Sequence, residues 1–364
     1  MDIYQSTVDY LLALPSLDSW DEMWTILQRA ASMRPRDWQL LLIACQSLGE
    51  PTERVIPARA ALACAQTSII LVGDMLDDDL RGEYRRIGSG RASNFALAFQ
   101  SAGVDALMRC GASSPVRLAA LSSLNRMMLT TAYGQELDFQ NPTDEDSYWR
   151  VLENKSAPFY GCAVQLGATL AEAKTKVTEN MEQPGRVYGE MIQIHDDLND
   201  SMAVPANPDW LQKRRPLPIL FALTVEHPDR RRFIEVYENI STENALLEAQ
   251  EILIHCGALS YCVDQLLHRY QNAQKLLNKI PLPNPEVLNP LLEAVRNPGR
   301  IAGCSIYICG TVGSGVRIPI WRALAIAAAR VCTPNFRYTV DNRLRRVELA
   351  IFIWRAKSAV LLFG

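Results

Sequence analysis

The chain has 364 residues, 48% apolar and 21% charged, with a formal net charge of −3. That length admits one large domain or two ordinary ones and that composition builds a sizeable core, while the missing basic surplus excludes the usual profile of a nucleic-acid binder. The opening MDIYQSTVDYLLALPSLDSW lacks a basic region followed by an apolar core, so no signal peptide is expected, and no run reaches the roughly 18 apolar residues of a transmembrane helix.

Along the chain, WDEMWTILQRAASM, WQLLLIACQSLG and PARAALACAQTSIILVGDMLDDDL repeat apolar residues at three- and four-residue intervals, which predicts helices. ASNFALAFQSAGVDALMRCG, VRLAALSSLNRMMLTTAYGQ, YGCAVQLGATLAEAKTKVTENM, GRVYGEMIQIHDDLNDSM, PLPILFALTVE and TENALLEAQEILIHCGALSYCVDQLLHRYQNAQKLLNKI continue the rhythm. GEPTERVIP, QNPTDEDSY and VPANPDWLQKRRP read as breaks, and no series of short alternating runs predicts a sheet. The expected fold is therefore all-α: a single domain of many helices, over residues 1–299. From Arg300 onward ten Lys and Arg face two Asp and Glu, whereas residues 1–299 carry 27 basic and 38 acidic groups. Residues 300–364 are read as a basic C-terminal extension of unknown role; a membrane-surface or partner-binding tail and a poorly ordered extension both stay open. The nine cysteines are scattered without a CxxC pair, as expected of reduced core thiols in a cytoplasmic protein.

Two acid clusters follow long apolar runs. In GDMLDDD, Asp74 stands three before Asp77 and four before Asp78; in HDDLND, Asp200 stands four after Asp196 and three after Asp197. On helices those spacings put each set of carboxylates on one face, where like charges repel unless something offsets them. Mg²⁺ suits that role, since it takes a few carboxylates plus the oxygens of a phosphate. The expectation is two acidic helices holding a diphosphate through bridging ions, with the greasy runs lining a hollow for a hydrocarbon. Solvated acidic helix ends are the plainer alternative.

On these residues the chain resembles the trans-isoprenyl diphosphate synthase, or polyprenyl synthetase, family over roughly residues 20–290. GEMIQIHDDLND matches the family's second aspartate-rich motif, GxxxQxxDDxxD, at Gly189, Gln193, Asp196, Asp197 and Asp200. Lys155 in NKSAPFYGCAVQLGA sits where the family uses a lysine on the allylic diphosphate, GQELD matches at Gly134, Gln135 and Asp138, and QKRRPLPILFAL offers Lys213 or Arg214 to the diphosphate. The resemblance implies an all-α homodimer that uses Mg²⁺, held by Asp74, Asp77, Asp78, Asp196, Asp197 and Asp200, to pull diphosphate from a prenyl diphosphate substrate. Asp74, Asp77, Asp196, Asp197 and Lys155 are then the catalytic set, and Arg34, Arg36, Arg85, Arg86, Lys155, Gln193, Lys213 and Arg214 the substrate-binding set. Cations neutralise the departing diphosphate and a dry pocket protects the allylic cation. Phe159 and Tyr160 are candidates to face that cation, although packing is the commoner role of such aromatics.

The departures from the family pattern are as informative. The first motif, DDxxD in the family, begins here at Gly73. GKxxR, part of the isopentenyl diphosphate site, appears as SMRPR, with Met33 at the lysine position, Arg36 retained and Arg34 nearby; Gln66 replaces the histidine of the same site, and the arginine pair is displaced to Arg85 and Arg86. The small Ser68 and Ile69 occupy the region where bulk sets product length. Three functions remain open: prenyl transfer to an acceptor, a terpene-synthase-like cyclisation or elimination without isopentenyl diphosphate, and a non-catalytic subunit with a degenerate first motif.

Overall fold

The computed structural model describes residues 2–15, 17, 20–50, 52–289 and 292. The expected basic extension, residues 300–364, lies outside them. Within them no strand occurs, and the helices are α1 (Ile3–Leu12), α2 (Asp21–Ser32), α3 (Leu40–Ser47), α4 (Ile56–Leu76), α5 (Tyr84–Ile87), α6 (Ser89–Met108), α7 (Ser114–Phe139), α8 (Glu145–Lys155), α9 (Ala157–Leu170), α10 (Thr175–Ser201), α11 (Pro208–Leu211), α12 (Leu217–Thr224), α13 (Arg230–Glu238), α14 (Glu243–His255) and α15 (Ala258–Leu277). The all-α expectation is met. Contacts gather the described chain into two compact units, one from residues 2–193 with 269–292 and one from residues 194–268.

In the larger unit α4 runs through the core. Ala58, Ala60, Ala61, Ala63 and Ala65 are all buried, and such small side chains let neighbouring helices come close. α4 is long and apolar enough to cross a membrane, but 61% of its most apolar window is packed inside the protein, as in a core helix. The amino-terminal α1 is pinned to it by the buried Arg59, which donates to the hydroxyls of Thr7 and Ser6 at 2.6 Å each. None of the six described cysteines forms a disulfide; Cys256 is partly exposed and the other five are buried.

Local signals failed where packing overrode them. YGCAVQLGATLAEAKTKVTENM, read as one helical run, divides between α9 and α10, and GRVYGEMIQIHDDLNDSM, read as a separate run, continues α10 beyond Pro184. Its Gly189 lies under α9: a Cβ there would stand 2.6 Å from a ring carbon of Tyr160. Contact along α9 offsets the backbone hydrogen bond that proline removes. Conversely, the stretch 243–280 divides after His255, because Gly257 adopts φ +87, a left-handed conformation suited to a helix end.

The smaller unit is built on a ring cluster. Trp210 packs edgewise on Phe233 and Tyr237, with centroids 6.4 and 6.1 Å away. The break predicted over VPANPDWLQKRRP contains a one-turn helix, α11, whose Trp210 is fully buried in that cluster. Trp210 Nε1 and Gln250 Nε2 both donate to the Ser201 carbonyl, each at 3.2 Å, fixing the end of α10 to this core.

Candidate active site

The first acid cluster lies where α4 ends. Asp77 caps the helix, donating its N–H to the Gly73 carbonyl at 2.8 Å; Asp78 turns left-handed at φ 50, and the Asp79 N–H closes back on the Asp74 carbonyl at 2.9 Å. This closure is of the Schellman type, and it separates the acids. Asp78 was expected on the face of Asp74, but the helix stops first. The Asp78 carboxylate instead accepts from Tyr84 Oη at 2.9 Å and Arg85 Nη2 at 2.6 Å, while Asp79 is held by Arg81 at 2.7 Å.

Asp74 remains on the helix. Burial, then the nearby Asp79, pushes its carboxyl up to about 7, with Asp77 and Glu83 adding repulsion and Arg81 opposing it. No Cβ contact would meet a side chain at Gly73 within 4 Å, so the missing acid leaves open space. The shifted arginines are occupied: Arg85 by Asp78, and Arg86 by Glu22 and Glu83. Further down α4, about 14 Å or more from Asp74 by helical rise, a cavity of about 290 Å³ is lined by Ala61, Ala65, Val104 and Leu124, with polar Gln100 and Asn125.

Lys155 ends α8 and pairs with Asp138 of α7. Gly134, in the same GQELD segment, explains the placement. A Cβ there would stand 2.2 Å from the Asn154 carbonyl carbon and the Lys155 nitrogen, so only glycine lets the end of α8 rest on α7. Next to Lys155, Ser156 donates to Gln193 Oε1 at 2.6 Å, joining the lysine segment to the glutamine of the second motif.

The segments expected to hold an acceptor also meet. Gln66 Nε2 donates to Asp37 Oδ2 at 2.7 Å, and Trp38 Nε1 donates to Gln66 Oε1 at 2.7 Å. Tyr160 Oη reaches the same Asp37 oxygen at 3.4 Å. Desolvation pushes Asp37 up to about 6, against the lowering effect of these two donors. Asp37 escaped the sequence reading; its place directly after Arg36, within the segment matched to GKxxR, was the available signal. Arg36 is exposed at the start of a 3₁₀ turn, Arg36–Gln39. Arg34 pairs with Asp2 at 2.8 Å and lies over the Tyr4 ring at 4.8 Å, so it serves the docking of α1.

The second acid cluster belongs to the smaller unit. Asp196 and Asp200 are partly exposed on α10, whereas Asp197 is buried and its Oδ2 accepts the Leu217 N–H at 2.9 Å. Asp197 thus caps the first turn of α12, a favourable place for a carboxylate. The preceding His195 is buried, which drives it down to about 4 and keeps it neutral; its Nδ1 lies 3.0 Å from Asn199 Nδ2. Lys213 donates to the Tyr237 carbonyl and sits 5.1 Å from that ring's centre, and the Arg214 carbonyl accepts from Tyr237 Oη at 2.9 Å.

Among the described residues no three His, Cys, Asp or Glu converge into a preformed metal cage. Magnesium does not need one, because it keeps waters and completes its shell with substrate oxygens. Asp79 and Glu83 are paired with Arg81 and Arg86, yet burial and these acid neighbours still penalise the ionised form of Asp74, a penalty that a divalent cation would relieve.

Comparison with known proteins identifies the family and the fold. A family model described as polyprenyl synthetase matches residues 23–253. A geranylfarnesyl diphosphate synthase from Aeropyrum pernix is 24% identical over 312 residues, 79% of this chain and 96% of that protein. A short chain isoprenyl diphosphate synthase from Methanothermobacter thermautotrophicus is 26% identical over 260 residues, 65% of this chain and 78% of that protein. The crystal structure of a geranylgeranyl pyrophosphate synthetase from Pyrococcus horikoshii Ot3 superposes with a TM-score of 0.68 at 17% identity, covering 81% of this chain and 95% of that one, a likeness of fold.

Proposed function

The chain belongs to the polyprenyl synthetase family, enzymes that transfer prenyl groups, and from that premise we propose that it uses Mg²⁺ to draw diphosphate from an allylic prenyl diphosphate. The observation that carries the reading is the crowding of acids at the end of α4, where burial and the nearby Asp79, Asp77 and Glu83 raise the Asp74 carboxyl to about 7. Asp74 with Asp77, and Asp196 with Asp200, are the carboxylates we assign to magnesium. Asp78 and Asp197 are committed to Arg85 and to the Leu217 N–H. When bound, the metal supplies electrophilic stabilisation of the departing diphosphate.

The protein's own groups orient the substrate. Lys155, set by the α7–α8 contact at Gly134 and shared with Asp138, offers a cation to the diphosphate. Gln193 is oriented by Ser156. Lys213 and Arg214 are assigned to the same anion in the smaller unit, at the expense of the Lys213 contact with Tyr237. We also assign a homodimer through α6 and α7, which leave Leu97 65%, Met108 56%, Leu118 70% and Leu129 71% exposed; a second copy is the family's usual cover for such a face.

The test is diphosphate release from geranyl, farnesyl or geranylgeranyl diphosphate by the purified chain with Mg²⁺. Release is expected from the wild type and abolished in Asp196→Ala. Turnover retained in that variant would sink the metal assignment, and no release from any substrate would leave the non-catalytic reading standing.

A further inference from the structure

Asp37, Gln66, Trp38 and Tyr160 come from three separate elements, the 3₁₀ turn, α4 and α9, and form one polar cluster. It is connected through two helices to residues of the proposed site. Along α4, Gln66 precedes Gly73 by seven residues and Asp77 by eleven, spacings that share a helical face, and lies about 12 Å of helical rise before Asp74. Along α10, Gly189, beneath the Tyr160 ring, is one turn from Gln193, which takes the hydroxyl of Ser156 beside Lys155.

The charge of this cluster is opposite to what an anion requires. Asp37 meets no cation among the described residues, and the neighbouring Arg36 is not among the groups that shape its ionisation. With its carboxyl at about 6, Asp37 is largely ionised at neutral pH. A lysine position is filled by Met33, and Gln66 presents an amide already engaged on both sides. A second diphosphate brought here would face a carboxylate where attraction is needed.

We propose that this cluster bars isopentenyl diphosphate from the position beside Asp37, Gln66 and Tyr160. Asp37 is then the specificity-determining residue of the acceptor pocket. The inference rests on the reading of the chain as an enzyme that ionises an allylic diphosphate, and one experiment separates the two. Equilibrium dialysis would measure binding of labelled isopentenyl diphosphate to the full chain with Mg²⁺, the allylic site being filled by farnesyl thiodiphosphate. The wild type is expected to bind more weakly than about 1 mM, and Asp37→Asn to tighten binding at least about tenfold. Gln66→His, which returns an imidazole to the pocket, is expected to act in the same direction. Micromolar binding by the wild type, or no gain in either variant, overturns the proposal. Diphosphate release from farnesyl diphosphate alone, followed in parallel, tests the underlying reading: its absence would remove that reading while dialysis still decides what the pocket excludes.

Discussion

Two residues carry opposite consequences for charge. At Gly73 a carboxylate is missing and a side chain has room, with no atom within 4 Å of an added Cβ. Glycine inside a helix also costs about 1 kcal/mol relative to alanine, so the position bears a cost that substitution relieves. Gly73→Asp is predicted to lower the Mg²⁺ concentration needed for half-maximal diphosphate release; an unchanged or weaker metal response would mean that the site is organised around the glycine. At Asp37 the carboxylate is present and penalised. Its carboxyl is raised from 3.8 to about 6 on folding, so the folded state holds the proton longer. The associated stability is full below the unfolded value and is lost as pH rises through about 6. Asp37→Asn is therefore predicted to stabilise the protein by about 1–3 kcal/mol at about pH 8 and to have little such effect near about pH 4. Urea midpoints at the two pH values check this, and an equal gain at both would exclude titration of Asp37 as the cause.

Single backbone contacts position whole elements. α8 rests on α7 through Gly134, and the neighbouring atoms of Asn154 and Lys155 belong to the main chain and cannot rotate aside. Gly134→Ala is predicted to cost about 1–3 kcal/mol in stability. It should also reduce diphosphate release more than the stability loss explains, because Lys155 moves with the end of α8. A variant as stable and active as the wild type would refute that placement. α4 and α10 show how helix ends sort acids. The turn after Leu76 sends Asp78 to Arg85, and the first turn of α12 takes Asp197, although sequence spacing grouped each with its neighbours. Periodicity describes a helix only while it lasts, and the end of a helix is set by what surrounds it.

For the molecule as a whole, the exposed leucines of α6 and α7 are the feature that isolated folding does not explain. Leu118→Glu combined with Leu129→Glu is predicted to convert the proposed dimer into a monomer, read by sedimentation velocity; an unchanged sedimentation coefficient would refute an interface at this face. By itself the sequence determined the helical class, the position of α4 and the family, because apolar periodicity and GxxxQxxDDxxD are local patterns in the chain. It also located the weak points at Gly73, Met33 and Gln66. Only the tertiary structure decided that Asp37 joins Gln66 and Tyr160, that Arg34 serves α1, and that Pro184 does not end a helix. Those outcomes depend on which side chains distant in sequence meet in a low-dielectric interior, where burial and a neighbour's charge set protonation and partnership.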